Sequence, residues 1–275
     1  MNYYFRFIVV SLLLLIAIDV SAQSKIKTAK GNLSGDSSPK GYTLSESSSY
    51  SDDSPSFFGE LAATFIFQLS VGLLYYTVIE TPFEMDKGMH HSTLNPYPFY
   101  NKNKGDYQYA GSEFVLWRAD ISNYYFSEKG KVNTNQFNTR FRIGDRFAVS
   151  GAYTHMSEKL INEPNQKMDI LFITADYYRV RTPHVNLLWG LGAGFVGNEV
   201  SQWGFVINTG AEIFIRPFSI ESDLRYGAFR FDSVLLFSVG PKFHFRKFNI
   251  GAKYQSHNIG RVHFSGISFG GGVSF

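Results

Sequence analysis

Phe137-Asn138-Thr139-Arg140-Phe141-Arg142-Ile143 puts an aromatic or β-branched residue at every second position, with Asn or Arg between them. A period of two belongs to an extended strand whose successive side chains leave opposite faces, so this segment reads as a strand with one apolar and one charged face. Just upstream, Val115, Trp117, Ala119 and Ile121 alternate with Leu116, Arg118, Asp120 and Ser122. Further apolar faces follow: Phe147-Val149-Tyr153, Leu171-Ile173-Ala175-Tyr177, Val185-Leu187-Trp189-Leu191 and Trp203-Phe205-Ile207-Ala211-Ile213. The series ends with Phe218-Ile220-Leu224-Tyr226, Leu235-Phe237-Val239-Phe243, Phe248-Ile250-Ala252-Tyr254 and Ile267-Phe269-Val273-Phe275. These make ten runs between residues 113 and 275. Several approach the roughly 9–11 residues that a tilted strand needs to cross a bilayer.

The connections have a rhythm of their own. Gly144-Asp145, Arg181-Thr182-Pro183, Arg216-Pro217 and Arg246-Lys247 are tight. Met156 to Lys167, Gly197 to Ser201 and Ser256 to Arg261 are longer and more polar, although Arg230 to Asp232 is short. Alternating short and long connections are expected of an antiparallel transmembrane barrel with short periplasmic turns and longer external loops. A soluble sandwich also alternates in polarity, but its turns would lack this two-beat length pattern. The polar face carries Arg118, Asp120, Arg140, Arg142, Asp176, Glu212, Glu221, Asp223, Arg225 and Lys253. Such a face suits a lumen, with the apolar face turned to lipid. The expected fold is therefore all-β: a transmembrane antiparallel up-and-down barrel of about ten strands over 113–275.

Composition agrees. Aromatics make up 17% of the 275 residues and charged residues 18%, a balance that favours pleated strands and membrane–water interfaces. A net charge of +3 is too small to argue for nucleic acid. With no cysteine, disulfides, thiolate metal sites, cysteine catalysis and a lipidated N-terminal cysteine are excluded.

Phe269, Gly271, Val273 and Phe275 share one face of the last run, and Phe275 is the last residue. This resembles the C-terminal strand signature of bacterial outer-membrane β-barrels. The resemblance implies that Phe269, Val273 and Phe275 form an insertion signal read by the barrel-assembly machinery. The chain thus resembles small outer-membrane β-barrel domain proteins. Roles across that group include envelope integrity, adhesion and accessory service to secretion machines.

The N-terminal part prepares export. Arg6 precedes a short apolar run from Ile8 to Ile18, and Val20-Ser21-Ala22 offers small residues for cleavage before Gln23, so residues 1–22 read as a signal peptide. The Ser21-Ala22-Gln23 junction resembles export signals common in Bacteroidota. Residues 23–56 are Ser-, Gly- and Lys-rich and read as a disordered lead. The segment 57–81, apolar from Phe57 to Ile79, is broken by Glu60 and Gln68. A docked or interfacial helix, a strand pair that would raise the barrel to twelve, and a transmembrane helix all remain open there. Residues 82–112, interrupted by Pro82, Pro96 and Pro98, read as an irregular linker packed across a barrel end or partly mobile. The lead and apolar segment are expected on the periplasmic side.

Chemistry is harder to find. A barrel of eight to ten strands has an interior that side chains can fill, and unpaired charges there are costly. The ten inward ionisable residues are therefore expected to pair into a plug, with a narrow charged conduit for small solutes as the alternative. Gly190, Gly192 and Gly194 leave room on the inner face, for solute or for neighbouring bulky side chains. Trp117, Trp189 and Trp203 read as interface anchors. His90-His91, near Glu84 and Asp86, lack the helical i, i+4 spacing of many metal sites, and no metal or cofactor is expected. The stretch Tyr254-Gln255-Ser256-His257-Asn258-Ile259-Gly260 resembles the end of lipid A deacylase barrels. In register, however, Gln255 stands at the catalytic His position and His257 at the nucleophile's. Only a rearranged Ser256–His257 pair would serve, and sequence neighbours seldom achieve nucleophile–base geometry. The strand count is also similar to the omptin proteases, but their paired acidic residues and Asp–His couple are not located. Sequence alone thus favours a non-enzymatic envelope scaffold or accessory subunit, exported to the outer membrane. Its expected partners are lipopolysaccharide, the assembly machinery and a periplasmic or outer-membrane protein.

Overall fold

The computed structural model describes residues 24–35, 91–102, 104–109, 115–128, 130–160 and 164–275. The expected signal peptide, the apolar segment 57–81 and the lead beyond residue 35 lie outside the described residues. Among the described residues one helix, α1 (Lys25–Ser34), and two short strands, β1 (Ser92–Leu94) and β2 (Tyr107–Tyr109), precede the barrel. The wall consists of β3 (Trp117–Glu128), β4 (Val132–Ile143), β5 (Phe147–Glu158), β6 (Gln166–Arg181) and β7 (Val185–Val196). It continues with β8 (Gln202–Ile215), β9 (Phe218–Ala228), β10 (Ser233–Phe245), β11 (Phe248–Ile259) and β12 (Val262–Ser274).

These ten strands pair antiparallel in sequence order, and β12 returns to β3 to close the ring. The seam runs from Phe269 opposite Tyr125 to Ser274 opposite Asp120. Beyond it, the Phe275 N–H donates to the Ala119 carbonyl at 2.9 Å and Ala119 returns the bond at 3.3 Å. Closure at ten strands overturns the twelve-strand alternative. No edge is left for 57–81 to extend, because both edges of the sheet are spent on each other.

The apolar parity faces outward. Trp117, Phe141, Phe147, Trp203, Ile215, Phe248 and Phe269 are all exposed, with Trp203 at 70% and Phe269 at 68%. Side chains this apolar and this open to the surroundings belong against hydrocarbon, which makes the ring a membrane-spanning barrel. Trp117 lies at the short-turn end and Trp203 at the other, so aromatics mark both rims.

Two of the longer connections are shorter than expected, while Gly197 to Ser201 joins β7 to β8 as expected. Met156, Ser157 and Glu158 belong to β5, and Ser256 to Ile259 belong to β11, leaving only Gly260 and Arg261 between β11 and β12. Cross-strand pairing continues there, Ser256 opposite Ser265 and Ile259 opposite Val262. Polarity in the sequence points to loop there, but an antiparallel ladder accepts polar residues wherever backbone partners continue.

Each barrel end has a cover. At the long-loop end, α1 buries Ile26, Ala29 and Leu33 against Val132, Met156, Ile259 and Phe264. Ser24 caps the helix, its Oγ accepting from Lys27 N–H, and Gly35 ends it at φ 80°. This corrects the expectation of disorder over 23–56 for the stretch 25–34. The helix sits at the barrel end opposite the short turns. Ile26, Ala29 and Leu33 fall on one helical face, and burying that face supplies what isolated helix propensity lacks. Glu158, from the wall, accepts from Ser24 Oγ (2.7 Å), Ile26 N–H (2.9 Å) and Lys25 N–H (3.1 Å). A carboxylate there meets the positive end of the helix dipole and its unpaired N–H groups. Lys25 to Glu128 (2.9 Å) and Asn32 to the Gly260 carbonyl (2.6 Å) add tethers.

At the short-turn end, β1 pairs with β2. The Gly105 N–H donates to the Pro183 carbonyl at 2.7 Å. Linker residues 92–109 thus lie across that mouth, with Leu94 and Tyr107 packed against Tyr178 and Leu188.

Replacing Glu158 by Ala strands three donors and removes a charge-assisted contact of the kind that contributes about 1.5–3 kcal/mol. Amide exchange across 25–34 in the folded barrel should accelerate roughly ten- to hundredfold, while heat-modifiable gel migration of the barrel stays unchanged. Unaltered exchange would mean that α1 is held by its apolar face alone.

Candidate functional site

The candidate site is the lumen. Alternation places Arg118, Asp120, Arg140, Arg142, Asp176, Glu212, Glu221, Asp223, Arg225 and Lys253 on the inward face, where their side chains are mostly buried. They form one web rather than isolated pairs. Arg225 Nε lies 3.2 Å from Asp223, and Arg140 reaches Asp223 at 3.5 Å and Glu221 at 3.9 Å. Lys253 pairs with Glu221 and lies 4.3 Å over the Tyr124 ring. Asp176 accepts from Ser150, from Thr174 (2.8 Å) and from Asn208 (3.0 Å). Its carboxylate fills the space at Gly190, where a Cβ would clash with Oδ1. Phe172 similarly occupies the room beside Gly194. Gly190 and Gly194 therefore accommodate neighbouring side chains, and Gly192 the backbone of Ile173 and Thr174, rather than a solute.

Two charged residues complete the web. Lys242 of β10 lies 2.5 Å from Glu212 and 3.6 Å from Glu221. Asp106, fully buried, comes not from the wall but from the cover segment. It accepts from Arg118 at 2.6 Å and from Asn186 at 2.6 Å, and lies 2.7 Å from Arg142 Nη1. The Arg142 contact is Coulombic, since its N–H groups are not aligned on the carboxylate; its guanidinium sits 4.6 Å over the Tyr178 ring. Asp120 lies 3.0 Å from Arg118 and 3.3 Å from Arg142, and accepts from Ser274 at 2.6 Å. In this web six cations (Arg118, Arg140, Arg142, Arg225, Lys242, Lys253) meet six carboxylates (Asp106, Asp120, Asp176, Glu212, Glu221, Asp223). Without the cover, Arg118 and Arg142 share one carboxylate fewer.

Burial alone would push the Asp106 carboxyl up, but the guanidiniums of Arg118 and Arg142 outweigh it and hold it well below the ordinary range. Burial raises the neighbouring Tyr107 phenol, despite Arg142 nearby. The space left among these side chains is about 70 Å³, bordered by Asp106, Arg118, Tyr124, Arg140, Glu221 and Lys253. That is room for a few waters.

Above this layer the lumen turns neutral and then apolar. Gln255 donates to Gln136 at 2.9 Å, and His257 is buried against the Phe126 edge. Met168, Ile170, Phe172 and Val206 fill the last layer under α1. Ser256 and His257 are adjacent on β11 and so leave opposite faces, His257 inward and Ser256 outward with exposed Tyr254 and Asn258. The rearranged Ser256–His257 pair is thus not assembled. Outward on the α1-side rim, Asp169 accepts from Tyr153 (2.7 Å) and Asn198 (2.8 Å) and pairs with His155 (2.6 Å). His155 and Asp169 stand 14 positions apart, which leaves no linear motif to find. Among the described residues no three metal-ligating side chains gather. His91 opens the described linker, whereas His90, Glu84 and Asp86 lie outside it.

Phe269 and Phe275 point outward at the seam, and Val273 lies opposite Ile121.

No family model and no curated protein matches the sequence. Among solved structures, the chain is similar to the outer membrane protein Ail of Yersinia pestis in a phospholipid nanodisc. That match has 19% identity and a TM-score of 0.33, over 57% of this chain and 99% of that one. It is similar to the KdgM porin at 11% identity, TM-score 0.30, over 57% and 99%. It is similar also to the translocator domain of autotransporter NalP of Neisseria meningitidis at 10% identity, TM-score 0.29, over 60% and 89%. At TM-scores this low, the assignment of a membrane barrel rests on this chain's own closed ladder and outward apolar belt.

Proposed function

We propose that this chain is a non-enzymatic outer-membrane barrel, closed to solutes, that serves as an envelope scaffold or as an accessory subunit of a partner complex. One observation carries this reading: Asp106, brought in by the cover, completes a charge-balanced web across the lumen. A conduit keeps polar side chains apart around water, whereas here every charge of the web but Asp176 meets an opposite one at contact distance, and Asp176 is held by Ser150, Thr174 and Asn208. The apolar layer beneath α1 gives a second barrier of different chemistry. The hydrolase alternative through Ser256 and His257 loses its support, because the two project to opposite faces of β11. Export through a cleaved signal over 1–22, insertion guided by Phe269, Val273 and Phe275, and lipopolysaccharide as outer-leaflet neighbour belong to the same proposal.

Planar-bilayer recording tests the closed lumen. The wild-type protein should give no ohmic steps, and Asp106→Ala should introduce them once the apolar layer is opened as well by Ile26→Asp/Leu33→Asp, because removing one member of a buried ionic cluster leaves uncompensated charge. Stepwise conductance in the wild type would instead favour a small-solute channel.

The sign of the pH dependence follows from the lowered Asp106 carboxyl. An unfolded Asp titrates near pH 3.9, and a group lowered on folding contributes its stabilisation fully above that value. The contribution is lost only as pH falls through the lowered folded value. Acidification from pH 7 to about 4 should therefore leave the wild type silent. Protection of the 92–109 amides, followed by hydrogen exchange, should fall only in stronger acid. Loss of that protection near pH 6 would exclude Asp106 as the tether.

A further inference from the structure

The short-turn mouth carries a feature that neither the closed lumen nor the ladder requires. Two neighbouring hairpins, β8–β9 and β10–β11, present Arg216, Arg246 and Lys247 at their tips, all exposed. Among the described residues none of the three has an ion-pair partner. The nearby carboxylates are spent elsewhere, Glu212 on Lys242 and Asp106 on Arg118 and Arg142. Asp145 sits on a different hairpin and accepts from Leu94 N–H at 3.2 Å.

Next to these cations, on the outer wall, four exposed phenylalanines form a continuous ring chain. Phe218 meets Phe243 at 5.4 Å, Phe243 meets Phe245 at 6.3 Å, and Phe245 stacks on Phe248 at 5.7 Å. On the inner side, a cavity of about 230 Å³ opens between the cover loop at Tyr97, Pro98 and Phe99 and the turn residues Arg216, Pro217 and Arg246. His244 forms its floor and is engaged with Ser219 at 2.7 Å. No carboxylate lines it.

We infer that this rim is a binding site for the phosphate headgroup of an anionic glycerophospholipid in the leaflet it borders. The chemistry is layered as such a lipid is layered. Phenylalanines meet the acyl and glycerol region, and cations stand one turn further out at phosphate height. The cavity beside Arg216 and Arg246 gives the headgroup somewhere to enter. The four-ring wall beside the cations holds them at the boundary of the bilayer, where the phosphate within reach is a lipid's, and this favours the lipid as the source. The inference needs membrane insertion but not a closed lumen, so a conducting barrel would leave it standing.

The test uses the full chain in micelles containing equal phosphatidylglycerol and phosphatidylcholine, with retained lipid counted by native mass spectrometry. Phosphatidylglycerol should be enriched on the wild type. Enrichment should fall about fivefold for each cation removed, as Arg216→Gln, Arg246→Gln and Lys247→Gln are combined. Arg261→Gln, at the opposite end, should leave it unchanged. Heat-modifiable migration reports separately whether each variant forms a barrel. Should the triple variant fail that check, Arg246→Gln alone and Phe245→Ala/Phe248→Ala must each lower the enrichment. Unchanged enrichment in any folded variant lacking the cations would overturn the site. So would equal retention of the two lipids by the wild type. Release of phosphatidylglycerol by millimolar inorganic phosphate, without dependence on Phe245 or Phe248, would assign the cations to free phosphate and overturn the lipid.

Discussion

Hydrocarbon offers no hydrogen bonds, so every backbone group of a spanning sheet must find its partner within the sheet. In this chain that constraint is met at one seam, where β12 returns to β3 and Phe275 exchanges backbone bonds with Ala119. The remaining nine pairings are local hairpins, each needing only the next strand. The seam joins the two ends of the barrel sequence and cannot form until all ten strands are present. Closing the ring also fixes which parity faces lipid, because a slip of one residue would turn Arg140 and Arg142 outward.

That same parity concentrates charge inside, and charge without water must be answered. Arg140 of β4 meets Glu221 and Asp223 of β9 across the lumen, and Arg225 donates back to Asn138, because strands far apart in sequence are brought opposite one another by the closed wall. Such a web contributes little net stability against an apolar filling, but removing one member is costly. Fixing which wall positions face one another is the more plausible return, since a lumen of interchangeable aliphatics would tolerate several packings.

The wall was legible in the sequence because a strand's period is short and repeats, and each of the ten alternating runs falls on one strand. Lys242 was within reach of the same reasoning. It lies on the inward parity of β10 between outward Pro241 and Phe243, so the period that marks the apolar face marks it too. Asp106 carried no such signal, since its segment has no period and its partners Arg118, Arg142 and Asn186 lie on other elements. α1 was hidden by averaging. The composition of 23–56 is that of a disordered chain, yet Ser24, Ile26, Ala29, Leu33 and Gly35 together specify one short capped helix. What neither period nor composition reveals is a surface to dock against, and Glu158 with its apolar surroundings exists only once the barrel has closed.

The two covers are held by different forces, and this shapes how each responds to its surroundings. α1 relies on apolar contact at Ile26, Ala29 and Leu33, supplemented by tethers such as Lys25–Glu128 whose Lys is partly exposed. Salt screens exposed pairs and leaves apolar burial in place, so ionic strength acts weakly on that end. The 92–109 segment is anchored through Asp106, whose ion pairs with Arg118 and Arg142 are buried and poorly screened. Salt therefore reaches neither cover efficiently. Only a change that replaces contacts, such as a partner burying the α1 face or a carboxylate competing for Arg118 and Arg142, acts at the strength with which the two ends are held. An accessory subunit docking on such a barrel would have to bring that chemistry with it.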